Sequence, residues 1–245
     1  MLIFLLYNCG LELLDSLPLK IQKHTAIKND SKKRKKKLSE ILLDLAIHQS
    51  AFNSKDQLNR GRPDIVHQCV LQFLFSPLIH PSGEHKNLNE PKFFIHSINN
   101  TYFEVSPLWR PPTHYLRFRG LLEQLYSQKS LRISSEDSLL LKTGSLNQII
   151  TSINPKKIII FSSHGKKEPE TLHTFAKNIY SYYTDPTPIL CLIGGYQHGP
   201  PPKLDLPKIN KQNTKIEYLT LEGGRLPSWK VLSIALQGIE WENNS

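Results

Sequence analysis

Residues 188–199, PILCLIGGYQHG, form the run from which the architecture of this chain can be predicted. Five apolar residues stand in a row from Ile189 to Ile193, which is typical of a strand buried on both faces. Gly194 and Gly195 follow, and glycines at the carboxyl end of such a strand let the backbone turn sharply and let a ligand approach it. The run therefore predicts a central strand that ends beside a binding turn.

Two other runs in the C-terminal half repeat this pattern of a buried strand followed by small residues. They are IIIFSSHG at 158–165 and IEYLTLEGG at 216–224. Three such strands predict one ligand pocket at one sheet edge, although tight turns alone also explain each glycine taken singly. The glycine spacing matches neither the G-x-G-x-x-G dinucleotide motif nor the G-x-x-x-x-G-K-S/T phosphate loop. We therefore expect a ligand that is held by backbone atoms and apolar walls.

The composition indicates a basic protein. Among 245 residues, 31 Lys and Arg exceed 21 Asp and Glu, which gives a net charge of +10. This excess favours RNA or DNA over a membrane as the partner, and a basic protein without such a partner is the alternative. The three cysteines are far apart in apolar or helical surroundings, so we expect core residues in a reducing interior and a cytoplasmic location. The apolar run at 2–7 is too short for a membrane span or a secretory signal, so it predicts a first strand and no membrane association.

The basic tract KKRKKK at 32–37 predicts a solvated loop over 28–37, because like charges at this density repel one another. Such a loop could also lie along a phosphate backbone. The next run, LSEILLDLAIHQSAF at 38–52, has apolar residues at helical spacing and predicts a short amphipathic helix.

The run GRPDIVHQ at 61–68 is the most informative short motif. Gly61 permits a turn, and Pro63 suits the first turn of a helix while it pushes Arg62 toward an extended conformation. Asp64 then lies near the helix start, where a carboxylate is favoured. Asp64 is interpreted either as a capping residue or as the group that fixes the guanidinium of Arg62 in a groove, and the two roles are compatible.

Two β-rich runs at 93–96 and 101–105 flank a pair of asparagines and predict a hairpin, as part of a β-rich insertion around 91–110. The segment 106–120 then interleaves Arg110, Arg117 and Arg119 with aromatic residues, a mixture that binds single-stranded bases and phosphates. We predict RNA contact, and solvated arginines beside an ordinary core are the alternative. A helix is expected from Thr113 to Tyr126.

Two loop histidines and the last apolar run complete the reading of the chain. His164 and His198 have no second His or Cys at ligand spacing, so we predict no metal site. Apolar positions from Val231 to Trp241 repeat at helical spacing and predict a final helix that packs on the sheet.

Together these motifs resemble one family, the Emg-type small-subunit ribosomal RNA pseudouridine N1-methyltransferases of the SPOUT superfamily. The resemblance spans the chain and is carried by LIFLLYNCGLELL, LLDLAIHQSAF, GRPDIVHQ with SPL after it, FEVSPLWRPPTHYLRFRGLLEQL, LIGGYQHG and LPSW. GRPDIVHQ is highly specific, and the glycine before Arg62 is more similar to the archaeal branch.

The resemblance implies a single SPOUT methyltransferase domain over 1–245, with a mostly parallel α/β sheet flanked by helices and a deep C-terminal trefoil knot. True knots are nearly absent from other folds, so connectivity rules would not suggest one. The resemblance also implies that S-adenosylmethionine is held among the knot loops. The implied cofactor residues are Phe161, Ser162, Gly194, Gly199, Leu221, Glu222, Gly223, Gly224, Arg225 and Leu226.

For RNA binding, the resemblance implies contacts from Arg62, Arg110 and Arg117, with Asp64 holding Arg62. Family members usually carry another arginine where Thr113 stands, and we expect Arg119 to compensate for that lost phosphate contact. The order Leu226-Pro227-Ser228 also departs from the family's Pro-Leu-Ser, which leaves the register of the cofactor loop open.

The implied activity is methylation of N1 of a pseudouridine in small-subunit ribosomal RNA during ribosome biogenesis. Asp64 is the catalytic candidate through its hold on Arg62, with water or RNA taking the N1 proton. The family also implies a homodimer with its active sites at the interface, and ribosome assembly proteins are further expected partners. The alternatives are a non-catalytic RNA-binding assembly factor and, more weakly, a doubly wound nucleotide-binding enzyme, whose fingerprints are missing.

Overall fold

A computed structural model describes residues 1–53, 59–79, 90–162, 169–196, 214–222 and 225–243. Within these ranges the chain forms nine strands. They are β1 Leu2–Cys9, β2 Lys92–Ser97, β3 Thr101–Glu104, β4 Ser130–Arg132, β5 Ser138–Leu140, β6 Lys142–Thr143, β7 Lys157–Phe161, β8 Ile189–Gly194 and β9 Lys215–Leu219.

Seven of these strands form one mixed sheet in the order β6-β3-β2-β1-β8-β7-β9. The five strands from β2 to β9 in that order run parallel, and β3 and β6 add an antiparallel edge. The predicted strands of the C-terminal half are therefore neighbours, with Cys191 of β8 paired to Ile159 of β7. Because they are parallel, their carboxyl ends meet at one edge of the sheet, as the sequence predicts.

Eight helices accompany the sheet in the described ranges. They are α1 Leu19–Gln22, α2 Thr25–Arg34, α3 Leu45–His48, α4 Pro63–Leu74, α5 Tyr115–Gln128, α6 Leu146–Ile153, α7 Leu172–Thr184 and α8 Ser228–Asn243. Apolar residues of α4, α5, α7 and α8 share one core with one face of the sheet, and α6 covers part of the opposite face. The mostly parallel sheet flanked by helices and the predicted final helix are thus confirmed.

The final helix α8 packs closely on α7. A Cβ at Gly238 would lie 3.1 Å from Cα of Ala176, so the two helices approach through small residues. Ser228, the first residue of α8, donates a hydrogen bond to the carbonyl oxygen of Gly194. Gly194 ends β8, which lies two places from β9 in the sheet, so the chain after β9 returns across β7 to reach it.

The basic tract is not the solvated loop that its charge predicts. Residues 25–34 form α2, and Lys35 ends this helix in the left-handed conformation with a φ of 52°. Arg34 Nη1 donates to Glu123 Oε1 over 2.7 Å, and Lys36 Nζ donates to Glu123 Oε2 over 2.9 Å. Because Glu123 is buried, it neutralises two of the cations whose repulsion the prediction assumed.

The predicted helix over 38–52 is also wrong. The structure has a 3-10 turn at Leu38–Glu40, then α3, then a second 3-10 turn at Gln49–Ala51. Between the first turn and α3 the chain is extended, and Leu43 N donates to the carbonyl oxygen of Glu12 over 2.9 Å. Asp44 then caps α3 by accepting from Ala46 N over 3.0 Å. Pairing with a distant segment and this local cap compete with one long helix.

The hairpin predicted over 93–105 is present, but it belongs to the main sheet. Strand β2 pairs with β1 in parallel, and β3 pairs with β2 in antiparallel orientation around Asn100, which has a φ of 55°. The β-rich segment is therefore an integral part of the sheet, which corrects the expectation of an insertion around 91–110.

The helices of the described segments include none with both the length and the apolar character that a bilayer crossing requires.

Candidate RNA and cofactor site

The turn before α4 fixes the backbone of Arg62. Gly61 has a φ of +54°, a conformation that favours glycine, and its carbonyl oxygen accepts a hydrogen bond from Leu45 N over 2.9 Å. On the other side, a Cβ at Gly10 would lie 2.8 Å from backbone atoms of Arg60 and Gly61. The turn is therefore held between the segment around Leu45 and the carboxyl end of β1.

The Arg62 guanidinium is held by Asp64 in two parallel hydrogen bonds. Nε donates to Oδ1 over 2.8 Å and Nη2 donates to Oδ2 over 2.7 Å, while Pro63 opens the helix as predicted. These bonds raise the pKa of Arg62 above its usual value. The side chains remain 23% and 44% exposed, so the oriented cation can still reach an anionic ligand.

The amino end of α5 lies beside this turn. Tyr115 Oη donates to Asp44 Oδ2 over 2.6 Å, and Asp44 directly precedes the Leu45 that binds Gly61. His67 Nε2 lies 3.0 Å from the carbonyl oxygen of Pro112, to which it donates. Burial lowers the pKa of His67, so its neutral form ties the 107–114 loop to α4.

Three of the predicted RNA residues on this loop and helix are exposed. Arg110, Thr113 and Arg117 face solvent, and Arg110 Nη1 donates to the carbonyl oxygens of Pro107 and Trp109 over 2.9 and 3.1 Å. Trp109 itself is buried and stacks on Phe118, with ring centroids 5.6 Å apart. The sequence predicts that the aromatic residues of this segment contact RNA bases, but the ring of Trp109 anchors the loop instead. Arg110 and Arg117 remain accessible to RNA.

The RNA contact predicted for Arg119 is wrong. Its side chain is buried, and Nη1 donates to Asp44 Oδ2 over 2.8 Å. The guanidinium therefore neutralises an internal carboxylate and cannot replace the arginine that Thr113 lacks.

Among the cofactor candidates that the structure describes, Phe161, Ser162 and Leu221 lie at the carboxyl ends of β7 and β9, and Gly194 ends β8. Ser162 N donates to the carbonyl oxygen of Leu219 over 3.0 Å, and Thr220 Oγ1 donates to that of Ser162 over 2.8 Å. Leu221 forms a parallel bridge with Glu170, and Arg225 and Leu226 lead into α8. Gly199, Gly223 and Gly224, like His164 and His198, lie outside the described residues.

Gly194, the last residue of β8, and Gly195, which follows it, serve protein packing. A Cβ at Gly194 would lie 2.9 Å from Cζ of Tyr196, and one at Gly195 would lie 2.4 Å from Sγ of Cys9. Tyr196 Oη in turn lies 3.0 Å from Tyr7 Oη. These glycines therefore let the ends of β1 and β8 approach each other, a reason that the sequence pattern alone does not give.

Through this contact the cofactor candidates and Arg62 share one edge of the molecule. Gly195 packs on Cys9, and the next residue, Gly10, packs on the turn that precedes Arg62. Two close backbone contacts thus connect the end of β8 to the amino end of α4. A ligand bound at the strand ends and a nucleotide bound at Arg62 would be neighbours.

Several residues that shape this edge escaped sequence reasoning. Glu12 is buried and accepts from Arg60 Nε over 2.7 Å, and Asp44 joins Arg119, Tyr115 and the cap of α3. Both carboxylates bind partners remote in sequence, so no local motif marks them. Their one sequence signal is an acidic residue inside an apolar run, as in LELL and LLDL.

Comparisons with known proteins identify the relatives of this chain and confirm the resemblance. The family model described as EMG1/NEP1 methyltransferase matches residues 4–240. The ribosomal RNA small subunit methyltransferase Nep1 of Staphylothermus marinus is 35% identical over 190 residues, which cover 76% of each chain. The protein of the same name from Pyrococcus furiosus is 31% identical over 234 residues, which cover 94% of this chain and 93% of that one.

A solved structure matches over the full length. The crystal structure of Archaeoglobus fulgidus Nep1 bound to S-adenosylhomocysteine has a TM-score of 0.74 and 26% identity, covering 100% of this chain and 99% of that one. By sequence and by fold, the chain belongs to the EMG1/NEP1 methyltransferase family.

Proposed function

We propose that this protein transfers a methyl group from S-adenosylmethionine to N1 of a pseudouridine in small-subunit ribosomal RNA. Family membership and the relatives named small-subunit methyltransferases support the reaction and the substrate class. The observation that carries the proposal is the contact of Gly195 with Cys9 and of Gly10 with the Arg62 turn. These contacts bring the end of β8 next to the turn that carries the oriented guanidinium, at the sheet edge where β7 and β9 also end.

The residues at the strand ends fit an adenosyl ligand. Phe161 and Leu221 are buried and supply apolar surface, and Glu222 adds an exposed carboxylate after β9. An apolar wall suits a nucleobase, and a carboxylate favours a nearby sulfonium cation. We expect these residues, together with Ser162 and the segment from Arg225 to Leu226, to hold the methyl donor.

The side chains of this protein would act mainly by orientation. Arg62, fixed by Asp64, would bind a phosphate beside the target nucleotide, and Arg110 and Arg117 would bind neighbouring phosphates. The target base must leave its stack to reach the methyl donor. When bound, S-adenosylmethionine would supply a methyl group activated by its sulfonium and would leave as S-adenosylhomocysteine, while the protein's residues would hold N1 in line with that methyl group and water would take the N1 proton. Alignment of the two reactants then supplies most of the rate acceleration.

Titration calorimetry and mass spectrometry test this function. We expect saturable heat with S-adenosylmethionine and a gain of one methyl group on a pseudouridine in a small-subunit ribosomal RNA transcript. Arg62→Ala should abolish methylation at limiting RNA, whereas Arg132→Ala, which changes an exposed arginine of β4, should not. RNA binding without cofactor heat would favour the alternative, a non-catalytic RNA-binding assembly factor.

We also propose the trefoil knot and the homodimer that the family resemblance implies. The hydrogen bond from Ser228 to Gly194 supports the knot, because the chain after β9 must return across β7 to form it. Sedimentation velocity tests the dimer, and a strict monomer at micromolar concentration would contradict it.

A further inference from the structure

Several lysines lie on α2 and on residues 35–37, which follow it directly. Five of them are exposed and are here called the lysine ridge: Lys28, Lys32, Lys33, Lys35 and Lys37. No acidic side chain in the described parts of the chain forms an ion pair with the ridge, whereas Arg34 and Lys36 are paired with Glu123. The basic tract thus divides into two inward cations that anchor it and outward cations that face solvent.

The lysine ridge carries more positive charge than the stability of the helix explains. Cations in the last turn of a helix are favoured by its dipole, which accounts for Lys32 and Lys33. Lys28 lies outside that turn and is four residues from Lys32, a spacing at which like charges destabilise a helix. A polyanion bound along the ridge would relieve this repulsion.

Gly120 supplies an independent observation on the neighbouring helix. It lies inside α5, where glycine makes a helix less stable than alanine would. Yet a Cβ at this position would meet no atom within 4 Å. No protein contact therefore requires glycine at this position. Arg117, Gly120 and Gln124 share one face of α5 by helical spacing, and the two side chains are exposed. A bare backbone on an exposed face suits close approach of a ligand.

The two features are attached to each other through Glu123, which lies on α5 and anchors the end of α2. Arg117 and Glu123 are separated by about 9 Å along the helix axis, roughly the rise of three nucleotides in one strand. We propose that the Arg117–Gly120 face of α5 and the lysine ridge together bind the phosphate backbone of the ribosomal RNA beyond the target nucleotide. This inference rests on the proposed function for the identity of the RNA.

The salt dependence of RNA binding tests the ridge. The variant with Lys28, Lys32, Lys33 and Lys35 changed to Gln is compared with a control in which Lys142, Lys156, Lys177 and Lys215, all exposed, are changed to Gln. Binding to a small-subunit ribosomal RNA transcript is measured between about 50 and 200 mM KCl. We expect the slope of log K against log salt to fall by about 0.7 to 0.9 for each ridge lysine that contacts a phosphate. Equal slopes for the two variants would overturn the role of the ridge.

Gly120→Ala tests the face of α5 with opposite expected signs for stability and binding. Alanine should raise Tm by about 1 to 4 °C, because it is the better helix former and meets no clash. It should also weaken RNA binding, since its methyl group enters the space proposed for the backbone of the RNA. A raised Tm with unchanged RNA affinity would exclude close approach at Gly120.

The experiments distinguish a failure of this inference from a failure of the proposed function. The ridge variant, its control and Gly120→Ala should all keep the calorimetric heat of S-adenosylmethionine, because none of them changes the carboxyl ends of β7, β8 and β9. Methylation by the wild type with equal salt slopes would defeat the inference alone. Absence of cofactor heat with a ridge-dependent slope would defeat the methyltransferase proposal alone.

Discussion

The pair formed by Arg62 and Asp64 shows how a short motif orients a charged side chain. Proline opens the helix, and a carboxylate two residues after the arginine receives its guanidinium in two hydrogen bonds. A planar guanidinium that is already fixed loses less entropy when it binds a phosphate. The two hydrogen bonds that orient the guanidinium therefore come from the local sequence, whereas the backbone turn that carries Arg62 is held by Leu45 and Gly10.

Asp64→Asn should weaken this orientation while it keeps the helix start. The amide offers one accepting oxygen where the carboxylate offers two, so one of the two bonds is lost; a hydrogen bond of a charged group contributes about 1.5 to 3 kcal/mol, so RNA affinity should fall roughly tenfold or more. Single-turnover methylation at limiting RNA should slow in proportion, with unchanged heat of cofactor binding. If methylation were unchanged in this variant while Arg62→Ala abolished RNA binding, Asp64 would have no orienting role.

Gly10→Ala should disturb the site through the backbone. The added Cβ would lie 2.8 Å from backbone atoms of Arg60 and Gly61, so the turn before Arg62 must shift. We expect a loss of about 1 to 3 kcal/mol of stability and weaker RNA binding. Gly144→Ala is the control, because its Cβ would meet side chains and no backbone: Tyr102 at 3.0 Å and Gln148 Oε1 at 3.9 Å. Unchanged denaturation midpoint and RNA affinity would show that the contact does not fix the turn.

Helices and strands are predicted correctly from sequence when the interactions that determine them are between residues close together in the chain. The strands β7, β8 and β9 are predictable because each is a short run of largely apolar or β-branched residues. The helix α2 and the role of Arg119 are not, because their deciding partners are remote: Asp44 lies 75 residues before Arg119. From sequence alone, a charged residue is predicted to be exposed to solvent unless the residue that pairs with it is known.

Glu123→Gln should release the end of α2 from α5. In the protein, burial alone would raise the pKa of Glu123, but the hydrogen bonds from Arg34 and Lys36 outweigh it and lower the pKa. Neutralising this buried carboxylate removes the partner of Lys36 and the nearer of the two carboxylates that face Arg34, so we expect a loss of about 2 kcal/mol or more in chemical denaturation. Glu136→Gln, at an exposed position, is the control and should change stability by less than about 0.5 kcal/mol.

At the scale of the whole molecule, three buried histidines make stability depend on pH. Burial lowers the pKa of His48, His67 and His96 below the ordinary value of 6.5. The unfolded chain therefore binds protons near pH 6.5 that the folded protein does not, so stability falls as the pH drops below that value.

Denaturation between pH 7.5 and 5.5 measures this effect. Three protons bound only by the unfolded state limit the slope to about 4 kcal/mol per pH unit. His96→Gln should reduce the slope by at most about 1.4 kcal/mol per pH unit, whatever its effect on stability at neutral pH. A stability that is flat or rises as the pH falls through this range would contradict the assignment.

The overall architecture and half of the site are thus readable from the sequence, and the rest is not, for a physical reason. Strand ends, the proline-initiated helix and the Arg62 pair depend on neighbours in the chain. The union of the two halves of the site depends on Gly195 meeting Cys9 and Gly10 meeting Gly61, which only the packed backbone reveals. The sequence pattern predicts ligand approach at Gly194 and Gly195, and it gives no sign of their contacts with Tyr196 and Cys9.

Cys9 stands at the junction of those two halves, and this position gives it a use as a reporter. It is fully buried, and burial raises its pKa well above the ordinary value, so alkylating reagents find almost no thiolate in the native state. Iodoacetamide can react there only after the β1 and β8 termini have parted. The rate of carboxamidomethylation at Cys9 therefore measures how often this edge of the sheet opens, and saturation with RNA or S-adenosylmethionine should lower that rate.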